Sequence, residues 1–413
     1  MKIRSIHIVN FRGLKRVDIA QFDAQSNLFV GVNGAGKSSI LDAIAIILSY
    51  FTKRSQNNNM HGGAKISSED ISVNSKEGTT LAIKLDNNVE WQIYRTNSSQ
   101  KTNSTNLQQL NQYVQYFRSE VEHNPSASIP VIAHYKVSRA VVVNSDNLKP
   151  SKRKTHNSIF DIYNDALDGK ASFGPFFTWY REQEDIENEK IRDDRNYRDS
   201  GLEAIRTAMK SVFPEYSEMR VQRSPRALVL RKGETLFKLN QLSDGEKCYI
   251  TLVCDLASRL AIANPAQNPL EGSGIVLIDE VDLHLHPQWQ LSVITKLTQT
   301  FPNCQFIFTT HSPIVASDTR GNVYGLEQGE LIPFKTFGRT SNTILAEVFD
   351  VPNPRNQYIQ SLIDETYNAI HSGNSDVFNE KMAELVNNNV DTEDIVRIKL
   401  EKARWDQRIH EAH

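Results

Sequence analysis

Cysteine is scarce in this sequence: its 413 residues include three, Cys248, Cys254 and Cys304. Their spacing matches no metal-binding motif, and each lies in a segment predicted to be a buried helix or strand. We therefore interpret them as thiols of the hydrophobic core and not as metal ligands.

Long apolar runs are missing as well. No stretch approaches the roughly 18 uninterrupted apolar residues of a membrane-spanning helix, and residues 1–11 alternate like a β-strand instead of resembling a signal peptide. Neither sign of charge dominates, because 47 Lys and Arg residues stand against 49 Asp and Glu residues. This balance excludes the overall positive field of an obligate nucleic-acid binder. We expect a globular, cytoplasmic protein with no membrane partner.

The sequence contains no internal repeat and no sustained heptad pattern, which argues against a coiled-coil arm. Composition and periodicity divide it into four predicted parts. These are an N-terminal lobe at 1–145, a helical insertion at 146–235, a C-terminal lobe of alternating strands and helices at 236–350, and a helical tail at 351–413.

Two further local predictions concern these parts. The insertion is rich in charge and is expected to contain one long helix from Phe173 to about Arg198. Residues 54–64 and 96–112 are rich in Asn, Ser, Gln and Thr, so they offer little apolar surface to bury and are predicted to be surface loops.

A glycine-rich loop lies between a predicted buried strand, Leu28–Val30, and a predicted amphipathic helix. Its sequence GVNGAGKS fits the pattern GxxxxGK[ST], in which backbone N–H groups and a helix N-terminus surround phosphate oxygens. Lys37 is expected to neutralise the β- and γ-phosphates, and the Ser38 hydroxyl to ligate Mg²⁺. The sequence therefore predicts an ATP site formed by Gly31, Asn33, Gly34, Ala35, Gly36, Lys37, Ser38 and Ser39.

Two acids follow a second predicted buried strand, Gly274–Ile278. Ligands of open parallel sheets bind at the carboxyl ends of the strands. Asp279 is expected to help hold Mg²⁺, and Glu280 to orient or deprotonate the attacking water. His284 and His286 come next, but no third ligand is spaced nearby, so a zinc site is not expected.

A short polar motif, residues 242–247 (LSDGEK), precedes an apolar helix predicted from Tyr249 to Ala263. Ser and Gly at a helix N-terminus leave backbone donors facing an anion, although such a motif alone would be an ordinary N-cap. A third buried strand, Phe306–Thr310, ends at His311, whose neutral imidazole is suited to contact a γ-phosphate or the attacking water.

In this chain order, the four motifs resemble the head domains of ABC-type ATPases of the SMC, Rad50, RecF and OLD group. The segment Asn10–Gly13 is similar to the start of those heads, which implies that Arg12 lies beside the nucleotide. The fold implied is an α/β P-loop NTPase of the ABC-ATPase head class. The resemblance also implies a head-to-tail dimer around two ATPs, because 242–247 resembles the LSGGQ signature that touches the opposite subunit's γ-phosphate. The residues concerned are Ser243, Asp244, Gly245 and Glu246, with His311 as the switch histidine.

Three longer segments, 176–188, 279–290 and 340–352, resemble stand-alone bacterial ATPases of anti-phage defence, those of the Septu (PtuA) and retron-associated systems. This resemblance implies a regulatory ATPase that uses ATP and Mg²⁺ and controls a separate HNH nuclease similar to PtuB. Two departures from the wider group matter. Residues 135–139 occupy the place of the glutamine-containing loop without a glutamine, and no Toprim nuclease follows, since residues 391–394 open a predicted helix.

Two other functions stay open at this point. A DNA-repair or recombination ATPase of the RecF or Rad50 type would bind DNA directly, through the basic stretches Lys149–Lys154 and Arg192–Arg198. A scaffold would bind ATP tightly and hydrolyse it barely at all. DNA binding through a partner is also compatible with the sequence.

Overall fold

A computed structural model of the chain describes residues 1–57, 59–73, 77–96, 103–124, 126–137, 158–169, 173–327, 329–351, 355–388 and 390–412. The basic stretch Lys149–Lys154 lies outside these residues. The chain divides into two compact units, Met1–Phe349 and Asp350–His413.

The first unit contains thirteen strands and nine α-helices among its described residues. The strands are β1 (Ile3–Phe11), β2 (Leu14–Ile19), β3 (Ser26–Val30), β4 (Thr79–Leu85), β5 (Glu90–Arg95), β6 (Val131–Tyr135), β7 (Tyr216–Arg223), β8 (Arg226–Lys232), β9 (Thr235–Lys238), β10 (Gly274–Ile278), β11 (Cys304–Thr310), β12 (Asn322–Glu327) and β13 (Glu330–Phe334). Its helices are α1 (Lys37–Gln56), α2 (Gln108–His123), α3 (Phe173–Asp193), α4 (Ser200–Val212), α5 (Asp244–Ala263), α6 (Pro287–Gln290), α7 (Val293–Thr300), α8 (Pro313–Asp318) and α9 (Ser341–Val348).

The central sheet has the order β13-β12-β3-β11-β10-β6. Its strands run parallel from β12 to β6, and β13 is an antiparallel edge strand that contains Pro333. Every residue of β3, β10 and β11 is buried, because elements cover both faces of the sheet. The carboxyl ends of β3, β11, β10 and β6 therefore lie together at one edge, as the sequence predicts for the site.

The N-terminal lobe adds an antiparallel sheet in the order β2-β1-β4-β5. Its strands alternate buried and exposed side chains, as the sequence predicts, and Asn88 has φ 65° in the turn between β4 and β5. This sheet packs on α1, where the Trp91 indole N–H donates to the Ile47 carbonyl at 3.1 Å. The helix α1 thus lies between the two sheets.

Two segments predicted as loops are partly helical. The helix α1 continues to Gln56, inside 54–64, and α2 begins at Gln108, inside 96–112. The two helices pack together through Phe51, whose ring lies 5.9 Å from that of Tyr113 and 5.3 Å from that of Phe117. Burial of these aromatic rings outweighs the polar composition of the flanking residues.

The predicted helical insertion at 146–235 is helical in α3 and α4, but its later residues form the sheet β7-β8-β9, so the prediction is wrong there. Apolar residues recur at every second position, as at Met219 and Val221, which is the period of a strand. The long helix also ends at Asp193, before the predicted Arg198, and the side chain of Asp199 caps the next helix by accepting from Leu202 N–H.

The second unit contains α10 (Gln357–His371), α11 (Ser375–Asn387) and α12 (Thr392–Ala412). These agree with the helical tail predicted from the sequence. Their core consists of Leu362, Ile363, Ile370, Met382, Leu385 and Ile398.

Among the described residues, no helix combines the length and the apolar character that crossing a membrane requires.

Candidate functional site

The phosphate loop connects β3 to α1 and is shaped by glycines. Gly31, Gly34 and Gly36 have φ of 145°, 80° and 106°, and a Cβ at Gly36 would lie 2.8 Å from the Leu14 side chain. Glycine is needed there for conformation and for space. The helix begins at Lys37 with no side-chain cap, so its first N–H groups stay available to an anion.

The remaining predicted loop residues differ in accessibility. Asn33 is exposed, Ala35 and Ser39 are half-buried, and Ala35 N–H donates to the Val32 carbonyl at 3.3 Å. The strand, loop and helix together are those of a P-loop, and the α/β fold class predicted from the sequence is confirmed.

Lys37 is buried at the base of the loop. Its Nζ donates to the carbonyls of Gly31 at 2.8 Å and Val32 at 3.0 Å. Burial lowers the pKa of Lys37 to about 8, although the charges of Glu280 and Asp279 act in the opposite direction. An ammonium held by two neutral carbonyls in a partly desolvated site is well placed to gain an anionic phosphate partner.

Ser38 and Asp279 meet, as the sequence predicts for two Mg²⁺ ligands. Ser38 Oγ donates to Asp279 Oδ1 at 2.9 Å, and Thr309 Oγ1 donates to the same oxygen at 2.6 Å. The donor set of a hydroxyl and a carboxylate suits Mg²⁺, which prefers oxygen ligands and keeps several waters. These side chains therefore fit the metal that the motif implies.

Glu280 and His311 lie beside this pair. Glu280 has φ 44°, and its N–H donates to Thr309 Oγ1 at 2.7 Å. Its carboxylate is 29% exposed and lies 3.8 Å from His311 Nε2, while His311 Nδ1 lies 3.4 Å from Lys37 Nζ. The structure therefore brings together the phosphate lysine, both predicted metal ligands, the predicted base and the switch histidine.

Thr309 is a site residue that the motifs did not identify. Its hydroxyl accepts from Glu280 N–H and donates to Asp279, so it fixes both acids at once. The available signal was a polar pair, Thr309-Thr310, in an otherwise apolar strand.

The predicted signature forms the start of α5, which begins at Asp244 and not at Tyr249. Ser243 is the N-cap, and its Oγ accepts from Glu246 N–H at 3.3 Å. A Cβ at Gly245 would lie 2.0 Å from the His284 carbonyl oxygen, so only glycine fits there. Asp244 is exposed and pairs with Lys247 at 2.7 Å.

Glu246 has several partners within its own chain. Its carboxylate accepts from Ser243 N–H, from Tyr216 OH at 2.8 Å and from Lys232 Nζ at 3.0 Å. Burial would raise the pKa of Glu246, but the hydrogen bonds, led by that from Tyr216, outweigh it and lower the pKa to about 2. Its carboxylate therefore holds the signature to β7 and β8, while Ser243 and Gly245 stay at the helix end.

Arg12 was predicted to lie beside the nucleotide, and the structure places it at the second turn of α1. Its Nη1 donates to Asp42 Oδ2 at 2.7 Å, and its Nε donates to Asp70 Oδ1 at 2.9 Å. Lys136, from the loop that follows β6, binds Asp42 Oδ1 at 2.9 Å. No motif identified Asp42 or Asp70, because their partners are distant in sequence.

Among the described residues, no cluster of three or more His, Cys, Asp or Glu side chains could hold a metal ion by itself. His284 and His286 thus have no third protein ligand within that part of the chain.

The sequence matches the family model described as "AAA domain, putative AbiEii toxin, Type IV TA system" over residues 26–317. It is 30% identical to the "Retron Ec83 probable ATPase" of Escherichia coli, over 90% of this chain and 80% of that protein. It is 26% identical to a "Septu protein PtuA" of Bacillus mycoides (strain KBAB4), over 80% of this chain and 40% of that protein.

Among solved structures, the SMC head bound to the C-winged helix domain of ScpA matches 81% of this chain and 98% of its own, with a TM-score of 0.45 and 15% identity. The resemblance to retron-associated and Septu ATPases inferred from the motifs is confirmed by the sequence matches. Because the family model spans the phosphate loop, the signature, both acids and His311, the chain belongs to this AAA-domain family of ATPases.

Proposed function

We propose that the chain is the ATP-hydrolysing regulatory subunit of an anti-phage defence complex, working as a head-to-tail dimer around two ATPs. The observation that carries the proposal is the similarity to the retron Ec83 ATPase, which extends over 90% of the chain. The similarity to a Septu PtuA protein supports the same role. A separate HNH-type nuclease similar to PtuB would then act on nucleic acid.

Hydrolysis would take place at the carboxyl edge of the central sheet. Lys37 would bind the β- and γ-phosphates, while Ser38 and Asp279 would hold Mg²⁺, whose charge would offset that of the phosphates. The partly exposed carboxylate of Glu280 would orient the attacking water and accept its proton. His311 lies between Lys37 and Glu280, where its imidazole can contact the γ-phosphate.

The signature supports the dimer. Within the described part of the chain, no hydrogen bond or ion pair joins residues 242–247 to residues 31–38. Each subunit thus carries a phosphate loop and a signature N-terminus that are not bonded to each other. A two-fold head-to-tail arrangement pairs each loop with the partner subunit's signature and closes both sites.

Such a dimer provides a switch. The γ-phosphate contacts both subunits only in the closed dimer, so bound ATP favours the closed arrangement over the open one. Hydrolysis removes this contact and with it the preference for the closed arrangement. A nuclease that binds one arrangement better than the other is then controlled by the nucleotide.

The alternative, direct DNA binding, has weaker support. The stretch Arg192–Arg198 carries three arginines with Asp193 and Asp194, and Asp199 follows it, so the described part of this surface has no net positive charge. Direct DNA binding therefore has less support than the defence role, which the sequence matches support.

The dimer is tested with Glu280→Gln, which removes the base but keeps the phosphate contacts. ATP should stay bound and hold two subunits together, so light scattering in Mg²⁺ and ATP should give the mass of a dimer. Lys37→Ala, which loses the phosphate lysine, should bind no nucleotide and serves as the control. A Glu280→Gln protein that stays monomeric with ATP rejects the shared site.

The partner is tested by affinity purification from the native host. A small protein with an HNH sequence should co-elute with the chain. Salt-sensitive DNA binding by the purified chain alone, with no nuclease co-eluting, would instead favour the repair ATPase.

A further inference from the structure

The phosphate-loop helix is joined to the central sheet by two side-chain bonds one helical turn apart. Ser38 binds Asp279 at 2.9 Å, and Asp42 binds Lys136 at 2.9 Å. Residues four apart lie on one face of a helix. The two partners are also neighbours, since Tyr135 pairs with Ile278 in the sheet. The second bond therefore lies directly next to the predicted metal site.

The side chain of Lys136 is held in one direction by its surroundings. Its N–H donates to the Gly169 carbonyl at 2.9 Å. Gly169 has φ 84°, and a Cβ there would lie 2.4 Å from Lys136 Cγ. The aliphatic part of the Lys136 side chain thus packs against Gly169, where no larger residue would fit. Its ammonium points to Asp42.

Asp42 uses both carboxylate oxygens. Oδ1 binds Lys136, and Oδ2 accepts from Arg12 Nη1 at 2.7 Å. Arg12 in turn binds Asp70, which accepts from Ser67 N–H at 2.8 Å. Burial would raise the pKa of Asp42, but the hydrogen bonds from Lys136 and Arg12 lower it, so the group is a carboxylate. The carboxylate of Asp42 on α1 therefore bonds to one cation that follows β6 and to another that follows β1.

We propose that Asp42 is a positioning residue for ATP hydrolysis. Asp42 acts through Ser38 and Asp279. Its bonds to Lys136 and Arg12 hold α1 in place, and the position of α1 fixes the Ser38 hydroxyl opposite the Asp279 carboxylate, the predicted metal ligand. Asp42 also offsets the positive charge of two cations near the phosphate loop. The two effects can be separated, because changing Asp42 or Lys136 should lower kcat in both cases but shift KM in opposite directions.

The size of the charge effect follows from Coulomb's law. A unit charge about 10 Å from doubly negative MgATP changes affinity by about fourfold in a medium as polar as water. Removing the anion of Asp42 should therefore strengthen nucleotide binding, and removing the cation of Lys136 should weaken it. Loss of the fixed Ser38–Asp279 geometry should lower turnover by about tenfold in both cases.

The test compares Asp42→Asn with Lys136→Met in the full-length chain. We expect KM for MgATP to fall about fourfold in the first and to rise about fourfold in the second, with kcat about tenfold lower in both. Both KM shifts should shrink at high ionic strength. Asp42→Glu and Lys136→Arg keep the charges and should leave KM near the wild-type value.

The control variant is Glu122→Gln, which removes the exposed carboxylate of an ion pair with Arg118 on α2 and should change neither constant. The proposal is overturned if kcat is unchanged in both test variants, or if KM moves in the same direction in both. It is also overturned if Lys136→Met abolishes nucleotide binding as Lys37→Ala does, because Lys136 would then contact the nucleotide directly. If Asp42→Asn does not fold, the two Lys136 variants carry the same test.

The inference rests on ATP hydrolysis by this chain, so wild-type turnover is measured alongside. Affinity for a non-hydrolysable MgATP analogue should shift in the same directions as KM. This second readout separates a failure of the positioning role from a failure of the hydrolytic function.

Discussion

At the scale of single residues, His134 stands out because it is buried and unsatisfied. It is 1% exposed, and neither ring nitrogen has a hydrogen-bond partner among the described residues. The adjacent Tyr135 binds Asp255 of α5, so His134 points to the opposite face of the sheet. Burial lowers the pKa of His134 to about 4, with the charge of Asp42 opposing it. The folded protein therefore carries a neutral imidazole.

The lowered pKa of His134 predicts that the free energy of unfolding depends on pH. The folded pKa of about 4 lies below the usual value of about 6.5, so between these values the unfolded chain binds more protons. The contribution of His134 to the free energy of unfolding is complete above about pH 6.5. It is lost as the pH falls toward 4, at up to about 1.4 kcal/mol per pH unit. His134→Leu should remove that part of the slope in urea unfolding at several pH values.

His61→Leu serves as the matched variant for the same measurement, since it replaces an exposed histidine and leaves the buried His134 in place. Equal slopes in the wild type and His134→Leu would contradict the assignment.

At the scale of elements, α5 is fixed to β6 by a buried polar network. Tyr135 OH donates to Asp255 Oδ2 at 2.8 Å, and Arg259 Nε donates to the same oxygen at 2.9 Å. Arg259 also donates to the Ile162 carbonyl at 2.6 Å. Because α5 begins with the signature and β6 ends next to Lys136, this network sets the distance between two functional elements.

Two substitutions that break this network should lower the free energy of unfolding by unequal amounts. Arg259→Met leaves the buried Asp255 carboxylate without its cation and should lower the free energy of unfolding by about 3–5 kcal/mol. Tyr135→Phe removes one neutral donor to that carboxylate and should cost about 1.5–3 kcal/mol. Urea unfolding of the two variants measures the difference, and equal losses would show that the ion pair contributes no more than the hydroxyl.

Sequence patterns predicted those elements whose signal is local. Both β3 and β10 contain a short apolar run followed by motif residues, so Lys37, Ser38 and Asp279 could be assigned before any fold was known. The bond between Asp42 and Lys136 could not be assigned, since it exists only because β6 is placed beside β10. The same reason explains the missed role of Thr309, which depends on the register of β11 against β10.

At the scale of the whole molecule, the proposed dimer has two composite sites, and this predicts complementation. Lys37→Ala destroys the phosphate loop, and Ser243→Arg places a bulky cation at the signature N-terminus. A mixed dimer contains one site with both intact halves and one with neither. Each variant alone should therefore be inactive, while an equal mixture should recover about a quarter of wild-type ATP turnover.

Turnover of the mixture is measured after the two proteins have exchanged subunits. Activity that stays at the average of the two single variants would contradict composite sites. A mixture of Lys37→Ala with Glu280→Gln should not recover activity, because both residues belong to the same half of the site.

The edge strand β13 limits how these subunits can associate. Pro333 has no N–H to offer to an incoming strand, and both Pro333 and Glu330 are exposed. A proline and a charge at a sheet edge oppose the addition of further strands, and so protect a parallel sheet from growth into aggregates. At this edge the central sheet therefore resists pairing with a strand from another copy of the chain.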